Sequence, residues 1–412
     1  MQQKTSNISY LIASRLSNAK QGSAFSALIT NIAVGSIALG LATMIVSFMI
    51  FEGFQTEIRE KIFSFTAHLQ VSKFDIGNAY QTAPMSTQRK FLETLKKTPE
   101  IAHIQQFSQK PTLLKTDDEI MGALIKGIAP DFDTARFAKN LIAGTHITFN
   151  DSTHSNDLII SKKFANKLNL NLNDTIVAYF FQDPPRFRKM NIKGIYETGL
   201  EDFDEKVVLA DNKLIQRLNN WADTLTGGYE IFVKDFRKLD QALADQIMDI
   251  IDYDMSMDIV TAQYGHLFEW FEMLNRNVIL FLGVILVVAC FNIVSILLIL
   301  IMERTNMIGS LKAFGATNAF IKKVFFYHGS RIILKGAVLG NLLGLGLGYL
   351  QYKLKLIPLD PENYYINTVP IAWDWVSIVG VNILLLTVIS MVLWIPTSVI
   401  SKITPIKSIR FS

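Results

Sequence analysis

Four stretches of the chain run without a charge for long enough to matter. Residues 32–51 run for 20 positions, 336–352 for 17, and 278–302 and 376–400 for 25 each. A helix rises 1.5 Å per residue, so about 20 residues cross the roughly 30 Å hydrocarbon core of a bilayer. The pattern predicts four transmembrane helices, the third reaching back to Ile332 once Lys335 snorkels to the interface. Between the first and second runs the periodicity is mixed. Residues 88–97, 162–168 and 237–250 read as helices, the last one amphipathic. Residues 157–161, 175–181, 190–196 and 231–233 read as strands, the middle two around a turn at Pro184-Pro185. The fold class is therefore a membrane protein: four transmembrane α-helices, with a large α+β extracytoplasmic domain inserted between helices 1 and 2. The expected division is 1–52 for an N-terminal segment and helix 1, 53–274 for the external domain, and 275–412 for helices 2–4.

Charge sharpens this division. Of 412 residues, 50% are hydrophobic and 18% charged, and mean hydropathy is +0.27. Soluble domains carry about 25% charged residues. Residues 53–274 hold a net −6 and the remainder +10, which together make the chain's +4. A mildly acidic block in an apolar, basic frame argues against a soluble enzyme, a disordered chain and a membrane-only bundle. The cations flank apolar runs and form no stripe interleaved with aromatics, so there is no nucleic-acid footprint.

The flanking cations also orient the helices. Lys4, Arg15 and Lys20 precede the first run without an acid. Arg304, Lys312, Lys322, Lys323 and Arg331 face Glu303 alone. Lys402, Lys407 and Arg410 close the chain. Lys353 and Lys355 are balanced by Asp360, Glu362 and Asp374. The positive-inside rule places both termini and 303–331 in the cytoplasm, and the large block and 353–375 outside. Tyr364, Tyr365, Trp373 and Trp375 fit an outer aromatic belt. The first run is too long and begins too late for a cleaved signal peptide, so it reads as an anchor. Residues 8–16 ahead of it suit a short interfacial helix.

The external block shows no catalytic, cofactor or metal signature. Cys290 is the single cysteine, so an internal disulfide and a cysteine cluster are excluded. None of the histidines has ligand spacing with Cys, Asp or Glu. The acidic cluster Glu201-Asp202-Phe203-Asp204-Glu205 lacks the glycine and terminal glutamate of a calcium loop and reads as a solvated turn. No G-x-S-x-G elbow and no G-x-x-x-x-G-K-[ST] cradle occurs. Any nucleotide hydrolysis that drives this chain belongs to another polypeptide.

One pattern inside the membrane runs stands out. Gly336, Gly340, Gly344 and Gly348 recur every four residues and line one helical face, where another helix can approach closely. The ladder serves either close packing on a neighbouring span or a sliding seam or substrate groove. Asn292, Ser295 and Asn382 are polar within lipid and suit interhelical hydrogen bonds. No run holds an internal Asp, Glu, Arg or His, which argues against a proton or ion pathway.

One span, a large external domain and three further spans resemble the MacB/FtsX-like permeases of ABC transporters, and most nearly the lipoprotein-releasing LolC/LolE type. The likeness runs nearly end to end. It rests on Ile32–Gly40 with the exit Phe51-Glu52-Gly53-Phe54-Gln55, on Gly194-Ile195-Tyr196-Glu197-Thr198-Gly199 with Asp204, on Asn292-Ile293-Val294-Ser295, and on the ending Pro405-Ile406-Lys407-Ser408-Ile409-Arg410. The resemblance implies two permease chains, alike or different, and two ATPase chains. The partner ATPase binds ATP and Mg, and this chain binds no cofactor. The cargo is a lipoprotein drawn from the outer leaflet of the bacterial inner membrane and passed to a periplasmic chaperone. Two alternatives remain open: a permease of the same fold driving efflux or activating a cell-wall hydrolase, and a membrane-anchored sensor without an ATPase.

The resemblance also assigns local roles. Residues 303–317 are similar to the family's coupling helix, which sits in a groove of the ATPase. Within it, from Glu303 on, Ile308, Leu311 and Ala313-Phe314 would supply an apolar face, Arg304 and Lys312 polar anchors, and Gly315 the helix stop. The alternative is an ordinary basic loop. The family usually has an acid where Met307 stands. Pro184, Pro185, Arg186, Phe187 and Arg188 correspond to the hairpin that hooks a chaperone in one family member, though this loop is shorter. It is either a chaperone-binding loop or a plain hairpin tip.

Overall fold

The computed structural model describes residues 24–75, 81–117, 119–150, 153–236, 239, 241–360, 364 and 366–402. The N-terminal arm with its expected interfacial helix, the C-terminal 404–410, Arg237, Glu362 and Tyr365 lie outside these residues. Two compact units result. One comprises the described parts of Met1–Thr56, Phe271–Leu359 and Thr368–Ser412; the other is Glu57–Trp270 with Asp360–Asn367.

Four long helices supply the first unit: α1 (Ala24–Phe65), α6 (Gly265–Glu303), α8 (Asn318–Leu354) and α9 (Trp375–Val392). All four are long and apolar enough to cross a membrane. A short helix, α7 (Thr305–Ala313), separates α6 from α8. α1, α6 and α8 each contain one of the uncharged runs and are much longer than it. The fourth run breaks after Val392 into a helical turn, Trp394–Thr397, and a 3-10 turn, Ser398–Lys402. Pro396 has no N–H to continue the helical ladder there. Ile37, Leu41 and Ile45 of α1, Ile293 and Leu297 of α6, Ile332 and Ile333 of α8, and Leu385 and Ile389 of α9 share one buried cluster. Lipid tails are as apolar as these side chains, so close van der Waals fit holds the helices together.

The second unit is a large mixed sheet with helices on it and a separate two-stranded sheet of its second and tenth strands. Its strands are β1 (Leu69–Lys73), β2 (Met85–Ser86), β3 (Ile101–Lys115), β4 (Ile120–Ile128), β5 (Leu141–Gly144), β6 (Asp157–Ser161), β7 (Thr175–Phe180), β8 (Arg186–Tyr196), β9 (Val207–Asp211), β10 (Leu225–Thr226), β11 (Gly228–Val233) and β12 (Met255–Ile259). Its longer helices are α2 (Lys90–Lys97), α3 (Lys162–Lys167), α4 (Asn212–Leu218) and α5 (Gln241–Ile250). β3 is the spine. One of its edges pairs β4 along Phe107–Lys115. Its other edge pairs β11 early and β7 late. The pairings β3-β4-β9-β6-β8-β7 return to β3 and close a ring, while β11, β1 and β12 extend the sheet from its first half.

Two cores follow from this arrangement. Leu114, Ile125, Ile160, Met190 and Val208 pack with Phe164 of α3 and Leu214 of α4. Val71, Tyr229 and Ile231 pack with Leu92 and Leu95 of α2 and Ile247 of α5. Thr116 closes the β3–β4 turn: its backbone N–H donates to the Glu119 carbonyl, and its hydroxyl accepts from the Glu119 N–H. β8 begins at Arg186 rather than near Met190, so the β7–β8 loop contains only residues 181–185.

Candidate functional site

The segment expected to couple to an ATPase is a capped helix with a buried apolar face. α7 ends in a Schellman turn. Gly315 has φ +85°, its N–H donates to the Lys312 carbonyl, and the Ala316 N–H donates to the Leu311 carbonyl. A left-handed residue after a helix strongly favours glycine. Ile308 is 0% exposed and packs with Ile301, Ile321, Phe325 and Ile400, with Met307 and Leu311 against that cluster. The expected outward apolar face is thus turned into the protein, because these side chains close the gap between α7, the start of α8 and the C-terminal turn. Met307 fits this partly buried place better than an acid would.

The outward surface of α7 is different in kind. Phe314 is 89% exposed and caps the helix beside Gly315. Glu303 is exposed and Arg304 half-buried. Lys312 donates from Nζ to the Ile400 carbonyl at 2.7 Å. Its ammonium is thereby tied to the turn after α9, and burial lowers its pKa.

The β7–β8 loop divides its residues between two tasks. Arg186 donates to the Arg217 and Leu218 carbonyls and to Asn220 Oδ1, each at 3.0 Å. It closes the C-terminus of α4, where cations are favoured. Pro184 and Pro185 are exposed. Phe187 is 66% exposed and lies 6.2 Å, centroid to centroid, from Tyr179. Arg188 donates to the Phe187 carbonyl. Phe181 and Phe187 leave two large aromatic side chains on the surface of this hairpin.

The glycine ladder of α8 lies on α1. A Cβ at Gly336 would meet Ile37 Cβ at 2.7 Å, at Gly340 the Ala38 carbonyl oxygen at 2.9 Å, at Gly344 Ala42 Cα at 3.2 Å, and at Gly348 Met49 Cε at 2.7 Å. Asn382 of α9 pairs with Asn341 of α8, each side-chain amide donating to the other's Oδ1. Pattern reading singled out Asn382 and missed Asn341, which sits inside the same run as the glycines.

The acidic motif is structural. Asp204 accepts from the Thr198 and Gly199 N–H groups and the Thr198 hydroxyl, which locks the turn after β8. Burial raises its pKa, and the Thr198 and Gly199 hydrogen bonds oppose that rise. Glu201 and Glu205 pair with Lys163, and Asp202 pairs with Lys206. Among the described residues, no group of three or more His, Cys, Asp or Glu side chains converges as a metal site.

Comparison with known proteins fits this architecture. The MacB-like periplasmic core domain family matches residues 30–248, more than half of the chain, and the FtsX-like permease C-terminal family matches residues 279–405. The chain belongs to the MacB/FtsX-like permease superfamily. Membership makes it an ABC-transporter permease and a multi-pass inner-membrane protein with a periplasmic core domain. Among its relatives is the lipoprotein-releasing system transmembrane protein LolC of Xylella fastidiosa, 23% identical over 98% of this chain and 99% of that one. Another is the corresponding LolE protein of Haemophilus influenzae, 22% identical over 97% and 98%. Among solved structures, the periplasmic region of MacB from Actinobacillus actinomycetemcomitans is 12% identical with a TM-score of 0.35, covering 51% of this chain and 97% of that one. In this permease, Phe314 and the hairpin residues Phe181 and Phe187 stay largely exposed.

Proposed function

We propose that this permease is a subunit of an ATP-driven transporter that draws lipoproteins from the outer leaflet of the inner membrane and passes them to a periplasmic chaperone. One observation carries the reading. The chain is colinear over 97–98% of its length with relatives named for lipoprotein release. Both termini and α7 lie in the cytoplasm, as the flanking cations require. A separate ATPase binds ATP and Mg and seats α7, with Phe314 as its aromatic contact, Glu303 and Arg304 at the edge, and Lys312 and Gly315 fixing the helix end. Two permease chains assemble with two ATPase chains. Extraction needs this power: about 0.8 kcal/mol per buried CH₂ amounts to roughly 10 kcal/mol for one long acyl chain.

Chaperone docking, on this reading, falls to Phe187 and the exposed Pro184-Pro185 tip, because Arg186 is occupied at α4. That same occupation, with a loop of only residues 181–185, favours a second reading. There the fold drives efflux or a cell-wall hydrolase and no chaperone docks. Depleting the protein in its host and measuring lipoproteins in separated membranes decides between them. Outer-membrane lipoproteins accumulating in the inner membrane support release. An unchanged distribution under verified depletion overturns it and leaves the second reading.

A further inference from the structure

The membrane unit carries a groove that none of these roles uses. It lies between α8 and α9, holds about 720 Å³, and is walled by Leu342, Leu345 and Leu386, with Tyr349 and Trp373 at one end. Its lining is almost wholly apolar, and its size falls within the roughly 300–1,000 Å³ of pockets that take small molecules. From Leu334 to Tyr349 the α8 wall is about 22 Å long. One leaflet of hydrocarbon is about 15 Å thick, half of the core. The slot is long enough for one extended acyl chain.

Gly346 shapes the slot. The four ladder glycines are required by the approach of α1, but a Cβ at Gly346 would meet nothing within 4 Å. Glycine inside a helix costs about 1 kcal/mol relative to alanine, and packing within the chain does not repay it. The space over Gly346 is part of the groove.

The interior and the rim differ in chemistry. Each of the paired amides of Asn341 and Asn382 also donates to a carbonyl of its own helix, Ala337 and Ile378. Both N–H donors of each are therefore used, and the interior offers an occupant apolar contact. At the rim, the Lys353 ammonium lies 6.0 Å from the Tyr349 ring centroid, and Trp373 contacts Tyr352 and Trp375. Aromatic rings with a cation mark the depth at which lipid headgroups lie.

We propose that this groove binds one membrane phospholipid. One acyl chain lies along α8 over Gly346, and the phosphate meets Lys353 at the Tyr349–Trp373 rim. A cation above an apolar slot complements a phosphate above an acyl chain. A partner's transmembrane helix would gain nothing from that rim. The assignment holds whatever cargo the transporter moves.

The test uses the full-length chain, in the complex in which it is extracted, in nanodiscs. A trace of phosphatidylglycerol carries a diazirine near one acyl terminus. After photolysis, labelled residues are mapped by peptide mass spectrometry. Labelling of Leu342, Leu345 and Leu386 is expected to exceed that of the exposed α6 residues Val284 and Val288 by about tenfold. Gly346→Leu fills the slot and lowers groove labelling about tenfold, and Lys353→Gln lowers it about fivefold. The leucine enters open space and is a better helix former than glycine, so assembly persists and the thermal midpoint does not fall. Even labelling of all exposed apolar faces would mean bulk lipid only and would overturn the proposal. So would groove labelling indifferent to Gly346→Leu, or label found on a co-purifying membrane-spanning protein seated there.

Discussion

Lys126 Nζ lies 2.6 Å from Glu230 Oε1, with side chains 4% and 0% exposed. The same ammonium donates to the carbonyl of Phe65, the last residue of α1, at 2.5 Å. Glu230 also accepts from Gln70 and Gln105. The pair therefore ties the end of α1 to four strands of the periplasmic sheet, β1, β3, β4 and β11. Buried pairs add little relative to apolar residues of equal volume, but removing one partner strands the other charge at a cost of about 3–5 kcal/mol. Lys126→Met should lower stability by that amount. Adding Glu230→Leu to it should recover most of the loss. Thermal unfolding of the full chain in detergent reads both, and a double variant no better than the single would refute the account.

The spans were legible because a bilayer demands about 20 uncharged residues and little else in the sequence supplies them. The full length of their helices was not, since Glu52 ends the apolar run without ending α1. Ile58 and Ile62, one turn apart and both 0% exposed, were the available signal. β3 escaped notice because Gln105, Ser108, Lys110 and Thr112 are buried along it. Polar residues satisfied by neighbouring strands and helices spoil the alternation that marks a half-buried strand. The apolar periodicity of α7 was readable, but not the partner of its face. A stripe of Ile308 and Leu311 looks the same whether it meets an ATPase or α8.

The glycine ladder predicts an order of sensitivities. Gly340→Ala sets a methyl against the Ala38 backbone, which cannot yield without moving α1, so a loss of about 1–3 kcal/mol is expected. Gly348→Ala crowds the flexible end of Met49 and otherwise makes an ordinary contact with Ile371, and should cost less than about 1 kcal/mol. Gly346→Ala meets nothing and should gain up to about 1 kcal/mol through helix propensity. Thermal midpoints of the three variants test the ranking. Equal losses at 340 and 346 would contradict the placement of α8 on α1.

Burial separates two roles within α7. Ile308→Ala opens a cavity at a fully buried site and should cost about 2–5 kcal/mol of stability. Phe314→Ala removes an exposed ring and should leave stability unchanged. On the proposed docking it weakens ATPase association at least tenfold, the mark of an aromatic hot spot of about 2 kcal/mol. Co-purification with the ATPase, measured beside thermal stability, separates the effects. A Phe314→Ala protein that retains its ATPase removes Phe314 from the interface.

Acid should act on the periplasmic domain through His68. Its Nδ1 accepts the Val233 N–H at 2.9 Å, and its ring packs against Phe63 and Phe236. Burial first, and the Arg136 charge second, lower its pKa from 6.5 to about 4. Because the folded pKa lies below the unfolded one, the unfolded chain takes up the proton first as pH falls. Stability is whole above about pH 6.5 and declines toward pH 4, by about 2 kcal/mol at pH 5. His68→Asn keeps an acceptor for Val233 without a titrating group. It should start less stable, having lost ring packing, yet lose less on acidification. Between pH 7 and pH 5 the native protein's thermal midpoint should fall roughly 4–8 °C further than the variant's. Carboxylates elsewhere titrate alike in both proteins and cancel in that difference, so parallel curves would show that His68 is not the acid-sensitive group.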